Sequence, residues 1–576
     1  MNIIKNATQL YQNRSYSDFR ELLNTSVDLY GDKDAFIIKH KKSRKEFTYE
    51  HISFNQFRQD VNFFGTGMIE EGYLGKRIAI IGKNRYEWVL SYFTAVCGLG
   101  MCVPLDKGLP YEELESSLAR SYSDVLIFDK EHKADVERVI AEGKTNVKTF
   151  ICMDELEGYK SVKEITLAGR KSLAAGNTEY LKQPIDNEAV SILLFTSGTT
   201  SMAKAVMLSH RNIMSNVEMI QKVVEVVPTD ITMAFLPYHH TFGFIGQLVL
   251  LAGGATTTYC DGLRYLQQNL VEYKVTLFFC VPLLIESIYK KVMAGVQKQG
   301  KEKTVAFGMK LTKFLMKFGI DIRRKVFKDV LDQLGGNLRL VVSGAAAIDP
   351  IALEGFQSFG IEALQGFGMT EASPVVAVET VKENRIGSIG RPVPGVEAMI
   401  IDKNEEGIGE LICRGENVMH GYYENEEETA KVLKDGWLYT GDLAREEDGF
   451  IFICGRKKNV IVLKNGKNVY PEELEVLITN LPYVTECMVF GEPRHKDGDE
   501  RDLAISVKIV YNPEYMKSNF NTEDPDEIQA IVKKDIDAIN ETLPSYKQML
   551  RVVTTDQEMV KTTTGKVKRF VETKNM

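Results

Sequence analysis

The sequence predicts an α/β protein: a large N-terminal region of mostly parallel sheets with helices and a small β-barrel-like part, followed by a small α+β C-terminal domain. Three observations predict it. Apolar runs at 77–81, 125–128, 277–281 and 338–342 alternate with helical stretches up to about residue 450, the pattern of parallel strands covered on both faces. From Glu397 the runs shorten and Gly-rich turns separate them, with Asp448-Gly449 as a tight turn into 450–454. After Gly455-Arg456-Lys457-Lys458 a smaller α/β pattern begins, and Pro471-Glu472-Glu473-Leu474 opens a helix with proline at its first position. The domain boundary falls near Lys458, giving 1–457 and 458–576.

At 576 residues the chain is too long for one core. Its 44% hydrophobic and 26% charged residues are those of a soluble globular protein. A net charge of −8 leaves no global basic field for nucleic acid. The eight cysteines include no CxxC pair, which argues against a thiol-ligated metal and suits a reducing cytoplasm. The first residues, Met1 to Asn6, show no signal peptide. The apolar run 275–285 spans 11 residues and contains Pro282, too short for the about 20 that cross a bilayer.

One segment breaks the charge balance. Residues 290–328 hold twelve Lys/Arg against Glu302 and Asp321, a local charge of +10. Phe307, Leu311, Phe314, Leu315 and Phe318 recur there at helical spacing, with Lys310, Lys313 and Lys317 between them. Such a helix lies on an anionic membrane, docks an acidic partner, or turns its apolar face into the core. The last reading is slightly preferred.

The richest chemistry lies in Phe195-Thr196-Ser197-Gly198-Thr199-Thr200-Ser201-Met202-Ala203-Lys204. Hydroxyls, glycine and a closing lysine surround a phosphate with backbone N–H groups, hydroxyl donors and a cation. The run 190–195 before it reads as a buried strand, and Ala205-Val206-Met207-Leu208 as another. The helix begins only behind a Ser209 cap, with Ile213, Val217, Ile220 and Val224 at helical spacing. This excludes the common NTPase loop, in which Gly-Lys-Ser/Thr leads straight into a helix.

Four further segments join the loop. Ser343-Gly344-Ala345-Ala346 follows a strand with residues small enough for a flat ring to approach the backbone. Gln365-Gly366-Phe367-Gly368-Met369-Thr370-Glu371 supplies an amide, an aromatic face, a hydroxyl and a carboxylate. Tyr439-Thr440-Gly441-Asp442 supplies the acidic acceptor that a ribose diol needs. Lys561-Thr562-Thr563-Thr564-Gly565-Lys566 places a lysine on a polar turn near the C-terminus.

In this order, across some 370 residues, these segments resemble the acyl-adenylate-forming superfamily of acyl-CoA synthetases, adenylation domains and luciferases. The resemblance runs from about Ser17 to the C-terminus. It is nearest to long- and medium-chain fatty acyl-CoA synthetases, through 435–442 and the helical insertion before Leu338. It implies that a carboxylate attacks the α-phosphate of Mg·ATP to give acyl-AMP and pyrophosphate. A mobile C-terminal domain then rotates, and CoA displaces AMP. It further implies that Thr196, Ser197, Gly198, Thr199, Thr200 and Lys204 hold the β- and γ-phosphates. Gly344, Ala345, Ala346, Gln365 and Phe367 take adenine, in a nucleotide-binding run that includes Gly366, Gly368 and Met369. Thr370 meets the α-phosphate and Glu371 ligates Mg2+. Asp442 takes the ribose and Arg456 ribose or phosphate, while Lys566 bridges the carboxylate and the α-phosphate. Lys458 matches the hinge, Asn465-Gly466-Lys467 the segment that faces the thiol, and His240, within Leu236-Pro237-Tyr238-His239-His240-Thr241, the acyl-pocket gate.

The chain departs from the superfamily's Gly-x-Pro-Lys-Gly loop ending, carrying Ser201, Ala203 and Ala205 instead. Glycine lets a loop take positive φ, so this loop is expected to be stiffer. Val560 also replaces a usual proline. The rival readings are an acyl carrier protein as acceptor, docked on 290–328, and a nucleotide-binding protein without catalysis. An amino-acid adenylation enzyme fits less well, because His239-His240 stand where an ammonium-binding Asp is usual. Luciferase-type oxidation shares the first half-reaction.

Overall fold

The computed structural model describes all residues except Met1, 44–45, 197–202, Ala347, 495–501, 562–565 and 575–576. The apolar runs become strands of two large sheets. The first has eight strands, in the order Gly421–Tyr422, Lys204–Ser209, Val190–Thr196, Gly100–Leu105, Lys76–Ile81, Val125–Phe128, Thr149–Cys152 and Lys160–Ser161. All its pairings are parallel except the two made by Lys204–Ser209. Its central strands are buried along their length; Ile78 to Ile81 show almost no exposed surface. Burial on both faces is why these runs read as continuous rather than alternating.

The second sheet has nine strands, with Leu277–Cys280, Leu340–Ser343 and Glu362–Gly368 side by side and parallel. The observed strand near 338–342 starts two residues later than its apolar run: Leu338 and Arg339 precede the paired residues, with the Arg339 amide donating to the Thr276 carbonyl at 2.8 Å. The apolar run 275–285 is split: Leu277–Cys280 is a strand, and Pro282 starts the helix Pro282–Lys298. Among the described residues no helix is long and apolar enough to cross a membrane.

The Gly-rich region folds as a five-stranded antiparallel sheet, built from Glu397–Ile401, Gly409–Arg414, Leu433–Lys434, Trp437–Glu447 and Phe450–Arg456. Asp448 and Gly449 both have positive φ (53° and 84°), as a type I′ hairpin turn requires. From Ile461 onward the chain builds a separate core between Ile461 and Met549. A three-stranded sheet of Val484–Pro493, Leu503–Tyr511 and Met549–Thr555 packs there against Pro471–Thr479 and Pro525–Glu541.

The preference for a core-facing apolar stripe in the basic segment is corrected. The helix Glu302–Met316 buries Gly308 and Thr312, whereas Phe307, Leu311, Phe314 and Phe318 are exposed. The apolar spacing is helical, but the covered face is the one that carries Val305, Gly308, Met309 and Thr312, not the phenylalanine stripe.

Candidate active site

The phosphate-loop candidate is the connection of an antiparallel pair. Val190–Thr196 and Lys204–Ser209 run side by side with Thr196 opposite Lys204, and the Thr196 hydroxyl donates to the Lys204 carbonyl at 3.3 Å. Ser197, Gly198, Thr199 and Thr200 lie outside the described residues. The loop's end is held by Arg120, which donates to the Ala203 carbonyl at 2.7 Å and covers the Phe195 ring. Ala205 is a buried ladder residue opposite Phe195. An extended residue has no use for the positive φ that glycine offers, so the stiffening expected from Ala205 has no basis at that position. The Ser209 hydroxyl accepts from the Asn212 backbone and caps the helix His210–Gln221.

Lys204 leaves this strand toward two residues that the sequence did not single out. Its ammonium pairs with Glu428 and stands 4.8 Å over the Tyr422 ring. Tyr422 reaches it because Gly421–Tyr422 adds antiparallel to Lys204–Ser209, Tyr422 facing Val206. The Tyr422 hydroxyl donates to Glu371 Oε1 at 2.8 Å. A chain of contacts therefore links the phosphate lysine to the proposed Mg2+ ligand. The Glu371 carbonyl also accepts from the Met419 amide at 2.9 Å.

The adenine candidates converge at the ends of two neighbouring strands. Ser343 is paired with Gln365, which places Gly344, Ala345 and Ala346 beside the run Gln365 to Thr370. A Cβ on Gly344 would stand 3.2 Å from the Phe242 ring, so only glycine leaves this approach unstrained. Ala345 has φ 73°, a cost of roughly 1 kcal/mol or more for an alanine. Gln365 is buried and its backbone N–H donates to Glu379 Oε2 at 3.0 Å. Burial raises the Glu379 carboxyl to about 8. Phe367, Gly368 and Met369 are half-buried beside Thr370, which begins a short turn with Glu371.

Asp442 and Arg456 face each other across one hairpin, Arg456 Nε 2.7 Å from Asp442 Oδ1. The Thr440 hydroxyl donates to the Leu411 carbonyl and accepts from the Asp442 amide, fixing the backbone that carries Asp442. The Asp442 side chain is 4% exposed, and its Oδ2 has no hydrogen-bond partner among the described residues. Burial raises its carboxyl to about 6, against the opposing pull of Arg456 and Lys566.

Lys566 comes to the same place from the C-terminal region. Burial of its charge and repulsion from Arg456 lower its pKa, opposed by Asp442 and Glu371, although part of the residue stays open to solvent. Lys458 is lowered by burial first, then by Arg456 and Lys566, with Lys204 also contributing. Lys204, Arg456, Lys458 and Lys566 thus surround Asp442 and Glu371. This cluster of cations suits a polyphosphate, and the orphaned Asp442 oxygen suits a hydroxyl donor. Glu371 offers a single carboxylate. Among the described residues the one group of three or more close ligand side chains is Asp106, His239 and His240. A hard cation at Glu371 would take its remaining oxygens from phosphate and water, as Mg2+ does.

His240 stands at the start of the helix Thr241–Ala252, its ring 4.2 Å from that of His239. Asp106 Oδ2 lies 3.3 Å from His239 Nε2, out of line for a hydrogen bond. Burial first, then His239 and Lys566, push His240 down to about 3, so it is neutral near pH 7. A small cavity behind it is lined by Phe235, Leu236, Tyr238, Gly243, Gly246 and Phe279, among others.

Asn465, Gly466 and Lys467 do not join this cluster. They form the exposed turn of the ribbon Ile461–Val462 and Asn468–Val469, with Lys467 over the Tyr546 ring at 4.3 Å.

The AMP-binding enzyme family matches residues 23–423, and the AMP-binding enzyme C-terminal domain matches 458–574. The chain is 31% identical over 509 residues to long-chain-fatty-acid--CoA ligase 5 of Rattus norvegicus, covering 82% of this chain and 72% of that protein. It is 29% identical to fatty acyl-CoA synthetase B of Dictyostelium discoideum, covering 81% of this chain and 74% of that protein. The crystal structure of the anthranilate CoA ligase AuaEII with anthranoyl-AMP superposes with a TM-score of 0.74 at 21% identity, over 98% of this chain and 97% of that one.

Proposed function

The chain belongs to the AMP-binding enzyme family, and from that premise we propose that it is an acid-thiol ligase. It activates a medium- or long-chain fatty acid with ATP to acyl-AMP and transfers the acyl group to CoA. In the first half-reaction a carboxylate oxygen bonds to the α-phosphorus and the bond to pyrophosphate breaks. In the second the CoA sulfur bonds to the acyl carbon, the bond to AMP breaks, and the thiol proton is released.

The observation that carries this reading is Asp442 Oδ2, buried and unpartnered where the charges of Lys204, Arg456, Lys458 and Lys566 meet. Asp442 accepts the ribose hydroxyls, with Arg456 beside it. Gly344, Ala345, Ala346, Gln365 and Phe367 receive adenine, and Thr370 stands near the α-phosphate. Lys204 holds the leaving pyrophosphate together with the loop from Thr196. Lys566 neutralises the approach of one anion to another, which is electrostatic catalysis. Glu371 would hold Mg2+, which would supply neutralisation of phosphate charge there. Neutral His240 shapes the entrance to the acyl pocket without adding charge.

In the second half-reaction the C-terminal domain, 458–576, turns about Lys458 and brings Asn465, Gly466 and Lys467 to the thiol. Their present distance from the cluster suits the adenylating arrangement. We place the protein in the cytoplasm, with 290–328 as a peripheral contact with the inner face of a membrane. CoA is favoured over a carrier protein because the matched relatives are named as CoA ligases.

The test is pyrophosphate release over carboxylic acids of graded chain length, with CoA and an acyl carrier protein as alternative acceptors. Release with fatty acids, and thioester formed only with CoA, is expected. No pyrophosphate with any acid would leave a nucleotide-binding protein without catalysis.

A further inference from the structure

The basic segment carries aromatic side chains that the fold leaves uncovered. The helix Glu302–Met316 seats on the protein through Gly308 and Thr312, where a Cβ on Gly308 would come within 3.2 Å of Phe327 and Val326. This close contact seats Gly308 and Thr312, with Val305 and Met309 packed partly buried beside them, and leaves the phenylalanines outside. Phe307 is 66% exposed, Phe314 56%, and Phe318, just past the helix end, 67%. At about 100° per residue, Phe307, Leu311, Phe314 and Phe318 fall within roughly 60° of one another around the helix axis. The Phe314 and Phe318 rings lie 5.2 Å apart, so the stripe is continuous.

Lys303, Lys310 and Lys317 form a second stripe beside it at seven-residue spacing. None of the three makes an ion pair with a described residue. Other basic groups of the segment have partners: Lys313 an exposed pair with Glu354, Arg323 with Asp321 and Glu362, and Arg324 with the carbonyls of Gly336, Leu338 and Gly360. The fold thus exposes an apolar stripe edged by unneutralised lysines in a segment of charge +10, on a chain of net charge −8.

We propose that this face docks on an anionic phospholipid membrane. The helix lies in the interfacial plane, its rings in the acyl boundary and its lysines among the headgroup phosphates. Charge decides the occupant. A second copy would bring one strongly positive face against another. An acidic protein would need an apolar groove shaped to these four side chains as well as a rim of acids, whereas a bilayer needs no matched shape. An anionic bilayer answers both. The docking stands on the surface itself; only its purpose, collecting a substrate that partitions into lipid, rests on the proposed function.

The experiment is flotation of the full chain with phosphatidylcholine vesicles, with and without phosphatidylglycerol, at low and high salt. The wild type is expected to float with the anionic vesicles at low salt and to be released at high salt. The K303Q/K310Q/K317Q variant is expected to lose about 100-fold in partitioning, at about fivefold per lysine. The F307S/F314S/F318S variant is expected to lose flotation while melting with the wild type and releasing pyrophosphate from a water-soluble acid at the wild-type rate. The proposal is overturned if the wild type ignores anionic vesicles, if either variant floats as the wild type does, or if the wild type is a dimer that the phenylalanine variant dissociates. Flotation by a wild type that releases no pyrophosphate would support the docking and overturn the function.

Discussion

Asp442 and Arg456 are directly opposed in the ladder between Trp437–Glu447 and Phe450–Arg456, and only one of the two Asp442 oxygens is satisfied by that pairing. The carboxylate is held ready for a hydrogen-bond donor at a cost to the fold. Its folded pKa, about 6, stands above the ordinary aspartate value of 3.8. A carboxyl raised in this way takes up protons on folding. It therefore burdens the folded state once pH rises through about 6, and not below the unfolded value. Two units correspond to about 3 kcal/mol. Asp442→Asn is expected to stabilise the protein by about that amount at pH 8, with the gain shrinking as pH falls from 6 toward 4. The same variant is expected to raise the KM for ATP about 10- to 100-fold, since a charged acceptor is lost. Melting curves of both proteins across this pH range decide the first point and initial rates the second. A destabilised variant with unchanged KM would remove Asp442 from the site.

Lys566 interacts electrostatically with Asp442, Arg456, Glu371 and His240, and on the proposed function its charge serves the adenylating step. Lys566→Ala is expected to slow acyl-AMP formation by at least about 100-fold, the scale of losing one electrostatic stabiliser, while sparing CoA attack on supplied acyl-AMP. Pyrophosphate release and thioester formation are to be measured separately. Equal loss in both would mean that Lys566 serves the fold or both steps.

The register of the hairpin shows where sequence reading stops. The Asp448-Gly449 turn is visible in the sequence and pairs Glu447 with Phe450. Counting back from it sets Asp442 opposite Gly455. A bulge between Leu443 and Ala444 moves the pairing by one, to Arg456, and a one-residue shift changes the face that a side chain occupies. No residue type announces that bulge. Thr196 and Lys204 were legible because a local antiparallel pair carries them. Tyr422 and Glu428 were not, because Gly421–Tyr422 joins Lys204–Ser209 from more than 200 residues away. Asp106 meets His239 across a similarly long separation. In the helix Glu302–Met316 the spacing marked an apolar stripe, but only the partner surface decides which stripe is covered.

Glu428 pairs with Lys204, the residue proposed to hold the phosphates. Its carboxyl is held at about 2 by hydrogen bonds from Lys204 and then Lys431. Triphosphate must take Lys204 from it. Glu428→Gln is expected to lower the KM for ATP up to about fivefold at low salt, the range of a half-exposed ion pair, with the difference fading at high salt. A raised KM would show that Glu428 positions Lys204 instead of competing for it.

His240 is neutral by burial first and then by His239 and Lys566 beside it, and a group that titrates near 3 cannot exchange a proton usefully at pH 7. Its part is shape. His240→Phe is expected to keep activity within about tenfold, with a pH profile like the wild type's from pH 6 to 9. His240→Ala, which removes about two-thirds of the side chain, is expected to shift the preferred acyl length. Asp106→Asn tests the support behind it. The carboxylate lies 3.3 Å from His239 Nε2 and raises the His240 pKa against His239 and Lys566, so its loss should leave His240 neutral and the pH profile unmoved. A rate that collapses in His240→Phe, together with a lost limb in the pH profile, would make His240 a proton carrier and overturn its assignment as a gate.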